Sequence, residues 1–262
     1  MTEHKLQQDP WAALVDELDA WSTEGKVADL WWRDDDATSP GPKLDRLFEL
    51  TTNTGLLLAT IPAPAVPELR PVIEQAPHVR VGQHGYAHIN HAPKGKGLGA
   101  WELGLHRGEA AVLDDLDCGR DILEQLFGEL FVAVVIPPWN RLDAALVRPI
   151  ADRGYLGISR FGARNQKHVT ESCVVVNSHC DPINWKSGPQ FTGESKALDQ
   201  LISHLESRRT GEVDAAEPTG VLTHHVVLDE AGWDFCTRLV EVLDSHPAAS
   251  WSSIPQLFPE GS

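Results

Sequence analysis

Basic residues are scarce in this chain of 262 residues: 22 lysines and arginines face 38 aspartates and glutamates, for a net charge of −16. Surfaces that bind nucleic acid or anionic membranes depend on clustered Lys and Arg, so neither is an expected partner and a small or neutral substrate fits better. Cysteine is scarce too. Cys118, Cys173, Cys180 and Cys236 form no C-x-x-C pair and are too few for a disulfide framework, which points to reduced thiols and a cytoplasmic protein. No apolar run approaches a membrane-spanning length, and residues 1–26 lack the charged n-region and apolar core of a signal peptide. No repeat recurs at a fixed period.

What the chain does have is alternation. Asp9-Pro10 reads as an N-cap followed by proline at the first helical position, and Trp11, Leu14, Leu18 and Trp21 recur at helical spacing. Residues 1–26 are therefore expected to carry an amphipathic helix packed on the remainder, 27–262. Strands are predicted at Val27–Trp32, Gly55–Ile61, the run from Val79 to the histidines, Phe131–Ile136, Tyr155–Ser159, Cys173–Val176 and Gly220–His225. Helices are predicted between them at Pro40–Asn53, Val66–Gln75, Glu109–Phe127, Asp143–Arg153 and Ala197–Arg208, with a last one at Glu230–Leu243. Strand–helix alternation implies a parallel sheet, and seven units in one domain suggest an α/β fold of the (β/α)7-type, a barrel or near-barrel. Right-handed crossovers would gather the strand carboxyl ends on one face. On that face fall Asp34, Asp35, Asp36, His84, His88, Trp139, Asp181 and His224.

A lone histidine is ordinarily a hydrogen-bonded core residue. His84 and His88, four apart at a strand end, together with an aspartate cluster at another, make a different case: two imidazoles and a carboxylate are a catalytic zinc set with one position left for water or substrate. Three adjacent aspartates would also repel one another unless a cation were present. Cobalt, nickel or manganese could fill the same ligands. His91 is left outside the ligand set, and Cys180 is a possible nucleophile with no visible activating neighbour. Residues 92–104 hold Pro93, Gly95, Gly97, Gly99, Trp101 and Gly104. They read either as a lid carrying Trp101 over a substrate or as a plain surface connection. Trp139 and Trp185, at strand ends, are candidates to stack on a sugar ring or another flat substrate face.

The order of these pieces resembles the polysaccharide deacetylase superfamily (NodB homology, carbohydrate esterase family 4) over roughly residues 28–228. The first motif, Asp-Asp before a small residue, fits Asp35-Asp36-Ala37 best, and a slide of one residue would put it on Asp34-Asp35. The resemblance implies Asp36, His84 and His88 as metal ligands and Asp35 as catalytic base. The second motif, His-Ser/Thr-x-x-His, has Gly85 in place of the hydroxyl residue. The third, Arg-Pro-Pro-aromatic-Gly, reads Ile136-Pro137-Pro138-Trp139-Asn140, so its arginine is missing and Arg141 or Arg33 must stand in. Asp181-Pro182-Ile183-Asn184-Trp185 resembles Asp-x-x-Asp-Trp with Asn184 for the second aspartate, and makes Trp185 a pocket wall. Leu222-Thr223-His224 resembles the final motif, with His224 the general acid and His225 the fallback.

The chemistry implied is amide hydrolysis. A metal would polarise the carbonyl and acidify water, Asp35 would take the water's proton, His224 would protonate the leaving nitrogen, and the Trp139 backbone N–H would hold the oxyanion. Asp181, Trp185, Trp101 and Arg141 are the expected substrate contacts. The expected function is deacetylation of an N-acylated, glycan-type substrate. The alternatives are hydrolysis of a non-sugar amide, as in allantoinase-like relatives, or a non-catalytic protein that binds metal or glycan.

Overall fold

The computed structural model describes residues 9–186 and 188–259. Residues 1–8 and 260–262, the outer ends of the two expected regions, lie outside that description. In chain order the elements are α1 (Pro10–Thr23), β1 (Ala28–Ala37), α2 (Pro42–Leu50), β2 (Leu56–Thr60), α3 (Leu69–Glu74), β3 (Val79–His84), α4 (Glu109–Phe127) and β4 (Phe131–Ile136). There follow α5 (Val147–Asp152), β5 (Gly157–Ile158), β6 (His168–Thr170), β7 (Cys173–Val175), β8 (Ile183–Asn184) and β9 (Gln190–Phe191). The chain ends through α6 (Glu194–Thr210), β10 (Thr219–Thr223), α7 (Glu230–Ser245), β11 (Ala249–Trp251) and α8 (Ile254–Leu257).

The main sheet runs β10-β1-β2-β3-β4-β5-β7-β6, with β11 added beside the start of β1. Every pairing in it is parallel except β6 with β7. Seven of these strands match the seven expected from sequence. Their carboxyl ends share one rim because the crossovers carry the chain back outside the sheet. Beyond β7 the chain bridges to β10 at Cys180 and Val221, where the Leu222 N–H donates to the Cys180 carbonyl (2.8 Å) and the His179 N–H to that of Gly220 (2.7 Å). That narrow link draws the two sides of the sheet together, as in the distorted (β/α)7 barrel anticipated.

Side chains alternate across the strands and build two apolar layers. Trp31, Leu57, Ala59, Val134 and Ile136 face inward, where Ile254 and Phe258 join them; Trp32, Leu56, Leu58 and Val135 face the helices. Phe258 lies edge-on to Trp31 at 6.2 Å, and a Cβ on Gly157 would stand 2.3 Å from its ring, so this position has to be glycine. Outside the sheet, α1 and α6 are joined by a two-point ion pair between Glu17 and Arg209 (2.7 and 3.0 Å).

Three expectations need correction. β1 does not stop at Trp32: it continues to Ala37, because its charged residues find buried partners on both faces of the sheet. The expected helix Asp143–Arg153 is split into a 3₁₀ turn, Ala144–Leu146, and the short α5. β6, β8, β9, β11 and α8 were not anticipated; each is two to four residues long and owes its form to tertiary pairing.

Candidate metal centre and cleft

Alternation along β1 sorts its charges. Arg33 and Asp35 share the inward face with Trp31, whereas Asp34 shares the outward face with Trp32. Asp34 is buried there, accepting from the Thr223 hydroxyl (2.6 Å) and the His225 backbone N–H (2.9 Å) and pairing with His225 Nδ1. Burial alone would lower the pKa of His225, but the charge of Asp34 outweighs it and the imidazole sits above its usual value. Asp34 and His225 thus occupy each other and line no part of the cleft, whereas Asp35, Asp36 and His224 do.

By strict alternation Asp36 would follow Asp34 outward. A register shift against β2 between Asp34 and Ala37, with Asp36 at φ 72°, turns it into the cleft instead. Its Oδ1 lies 3.2 Å from His84 Nε2 and 3.4 Å from His88 Nε2. Burial opposes a charge on Asp36, yet the neighbouring imidazoles hold its carboxyl well below the usual range. His84 faces the Ile136 carbonyl with Nδ1 at 3.0 Å, which keeps a proton on Nδ1 and turns Nε2 toward Asp36. Asp36 Oδ1 is a buried oxygen with no hydrogen-bond partner. A buried carboxylate oxygen without a hydrogen-bond partner, beside two imidazole nitrogens, fits a divalent cation, and Asp36, His84 and His88 could hold one.

Asp35 meets the fully buried Arg33 at two points, Nε to Oδ1 at 2.9 Å and Nη2 to Oδ2 at 3.1 Å. The guanidinium is fixed in turn by Ser159 Oγ (2.8 Å), the Arg160 carbonyl (3.2 Å) and Asn140 Oδ1 (2.7 Å). Of the two candidate arginines, Arg33 makes this contact. Arg141 also reaches the cleft wall, but its Nη1 donates to the carbonyls of Leu98 (2.8 Å) and Ala100 (3.3 Å).

His224 stands 3.9 Å from Asp35 Oδ2, with Trp185 edge-on to its ring at 4.7 Å. The Trp185 indole donates to Asp181 Oδ2 (2.9 Å), and burial pushes the Asp181 carboxyl up despite the neighbouring His224. Trp139 packs on His88 with ring centroids 4.4 Å apart. The cleft so formed is about 580 Å³ and includes every expected site residue except Trp101, whose neighbour Ala100 lines it instead. Among the described residues, the four non-glycine positions with positive φ are Asp36, His88, Trp139 and Asn140. All four line this cleft.

Glu102 escaped notice in the sequence. It is buried, and it accepts backbone N–H groups of the turn that joins His84 to His88. Its place in a glycine-rich loop hid it; a charged residue among glycines reads as exposed.

A second group of possible ligands, His179, His204 and Glu217, lies buried elsewhere. His179 Nδ1 accepts the Gly220 N–H (3.0 Å), so its Nε2 carries the proton toward Glu217 (3.6 Å) and has no free lone pair. The His179 and His204 rings stack at 3.3 Å and 12°, which leaves no point in both ring planes for a shared ion. This group is a hydrogen-bonding cluster rather than a metal set. Cys180 is equally quiet: burial raises its thiol well above the usual range and it donates to the Ala197 carbonyl.

No family model matches the chain, and no curated protein matches its sequence. Solved structures do. A protein described as a polysaccharide deacetylase from Mycobacterium smegmatis superposes with a TM-score of 0.61 at 16% identity, over 89% of this chain and 89% of that one. The catalytic domain of a peptidoglycan N-acetylglucosamine deacetylase from Eubacterium rectale gives 0.56 at 13% identity, over 90% and 92%. Peptidoglycan deacetylase PdaC from Bacillus subtilis gives 0.52 at 16%, over 88% and 90%. Identities this low speak to the fold alone: this chain is a distorted (β/α) barrel similar to those of the deacetylases on which it superposes.

Proposed function

We propose that this protein is a metal-dependent hydrolase that removes the acetyl group from an N-acetylated, sugar-containing substrate. The observation that carries the reading is convergence: Asp36, His84 and His88 group at one point of a cleft, with the Arg33-bound Asp35 and His224 beside them. Zinc, or cobalt, nickel or manganese, held by the three ligands would act as a Lewis acid and lower the pKa of water toward ~7. Asp35, oriented by Arg33, accepts the proton of the attacking water. His224, protonated at the start, returns a proton to the leaving nitrogen, and Trp185 with Asp181 keeps that imidazole against the cleft. The Trp139 backbone N–H serves the oxyanion.

Trp139, Phe161 and Trp185 give the cleft an aromatic rim, each more than a third exposed, suited to the apolar face of a sugar ring. Solved structures of this fold are described as deacetylases of polysaccharide or peptidoglycan, which favours a glycan over a non-sugar amide. The missing motif arginine and Asn184 in place of the second aspartate were the grounds for a non-catalytic alternative, and the Arg33 contact with Asp35 answers the first of them. The four cysteines are free, consistent with the cytoplasmic setting we infer, and among the described residues no helix is long and apolar enough to cross a membrane.

The test is metal content per chain for wild type beside His84→Ala, followed by acetate release from N-acetylglucosamine oligomers by wild type and Asp35→Asn. We expect near-stoichiometric metal lost in His84→Ala, and metal retained but acetate release abolished in Asp35→Asn. A wild type that holds no metal after zinc is supplied overturns the hydrolase reading.

A further inference from the structure

The glycine-rich loop 92–104 returns to the barrel at Glu102, a carboxylate only 1% exposed. Its Oε2 accepts the Tyr86 N–H (3.1 Å), and its Oε1 accepts those of Ala87 (2.8 Å) and Ile89 (3.3 Å). The turn from Gly85 to His88 is neither helix nor strand and carries positive φ at both Gly85 (57°) and His88 (56°). Such a backbone offers its own N–H groups no partner, and unmet donors cost about 1–3 kcal/mol each. Glu102 supplies the missing acceptor three times over.

Gly85 belongs to the same device. A Cβ there would stand 2.0 Å from Glu102 Oε2 and 2.6 Å from Pro138 Cγ, so the carboxylate occupies the space a side chain would need. The rest of the loop is tied at two further points. Asn90 Oδ1 accepts the N–H groups of Ala92 (2.9 Å) and Trp101 (3.0 Å), and the His91 N–H donates to the Trp101 carbonyl (2.8 Å). Arg141, from the turn after Trp139, holds the carbonyls of Leu98 and Ala100. The loop therefore braces the histidine turn against the Trp139 turn.

We propose that Glu102 is a positioning residue for His88, setting the affinity of the Asp36–His84–His88 group for its divalent ion. The inference rests on the metal reading above. The three hydrogen bonds, to the residues on either side of His88, fix where the backbone that carries its imidazole lies.

Zinc affinity of the full chain, measured by competition with a chromophoric chelator, tests it in wild type, Glu102→Ala and Glu102→Gln. Loss of such outer partners weakens metal binding about 10–100-fold, and we expect that range for Glu102→Ala. Glu102→Gln should fall between, since its amide oxygen still accepts while its NH2 faces a donor. A purely structural role is separated by amide hydrogen exchange: residues 85–91 should exchange faster in Glu102→Ala while β1, β2 and β4 keep wild-type protection. Should the alanine variant fail to fold, the glutamine variant decides, and unchanged zinc affinity in it overturns the proposal. Equal affinity in wild type and a folded Glu102→Ala does so as well. A wild type that binds no zinc refutes the metal reading, and this inference with it.

Discussion

Arg33 and Asp35 lie two apart on one strand and so share a face, with both charges shut away from solvent. A buried charge deprived of its partner costs about 3–5 kcal/mol, so Arg33→Met should lower the thermal midpoint steeply. Arg33→Lys keeps the charge but not the planar two-point contact, nor the grip on Asn140 and Ser159. If Asp35 is the base, we expect the lysine variant to fold and to release acetate about 10²-fold more slowly, the cost of a base misplaced by about an ångström. Wild-type turnover in Arg33→Lys would break the link between this pair and catalysis. From sequence Arg33 and Arg141 both stood as candidates, because a strand read as ending at Trp32 hid the face that Arg33 and Asp35 share. What sequence could not show is that Ser159 and Asn140, from two other parts of the chain, hold the guanidinium in place. Glu102 was hidden for the same reason, since the groups it serves lie 13–16 residues away.

At the scale of elements, α4 and β4 were legible to the residue because their apolar patterns are long and uninterrupted. β1 was read too short because aspartates in succession look like a loop until Arg33, Thr223 and His225 are known to answer them. The two-residue strands β8 and β9 have no period to read at all. Deeper in the structure, His179 after β7, His204 on α6 and Glu217 before β10 tie three segments together. Burial holds His179 down at about 4 and lowers His204 as well. Burial works against the charge of Glu217, but the two imidazole N–H groups and the Arg164 backbone N–H facing it keep its carboxyl at about 2. The sign follows. Unfolded histidine takes up protons below about pH 6.5 while folded His179 stays neutral to about 4, so stability is lost as pH falls through that window. For His179 alone the loss approaches about 3 kcal/mol. Glu217 adds a further loss from its ordinary 4.5 down to about 2. Urea denaturation at pH 7 and pH 4.5 should show wild type losing more than His179→Gln, and parallel losses would rule the cluster out as the acid-labile point.

For the whole molecule, strand–helix alternation and the order of motifs were sufficient to give the barrel; the thin Cys180–Val221 bridge and the filling of the interior by Phe258 were not, because both are contacts between residues far apart in sequence. The three proposed ligand side chains come from β1, the end of β3 and the turn beyond it, so a bound ion would cross-link strands that are not neighbours in the sheet. Zinc at 100 times its dissociation constant should then add about 2.7 kcal/mol to global stability. For a chain of this size that is a rise of roughly 5–10 °C in the unfolding midpoint, reversed by chelator and absent in His84→Ala. A midpoint indifferent to zinc would mean the three ligands do not act together.

The left-handed backbone at Asp36, His88, Trp139 and Asn140 has a bearing on how this protein would respond to selection. Each position stores on the order of 1 kcal/mol that glycine would release. Selection for heat resistance alone should therefore reward Trp139→Gly early, erasing the cleft wall while the barrel grows sturdier, but not Asn140→Gly, which would leave the buried Arg33 guanidinium short of an acceptor. Where a lineage keeps bulky residues at these costly angles, it is being screened for turnover.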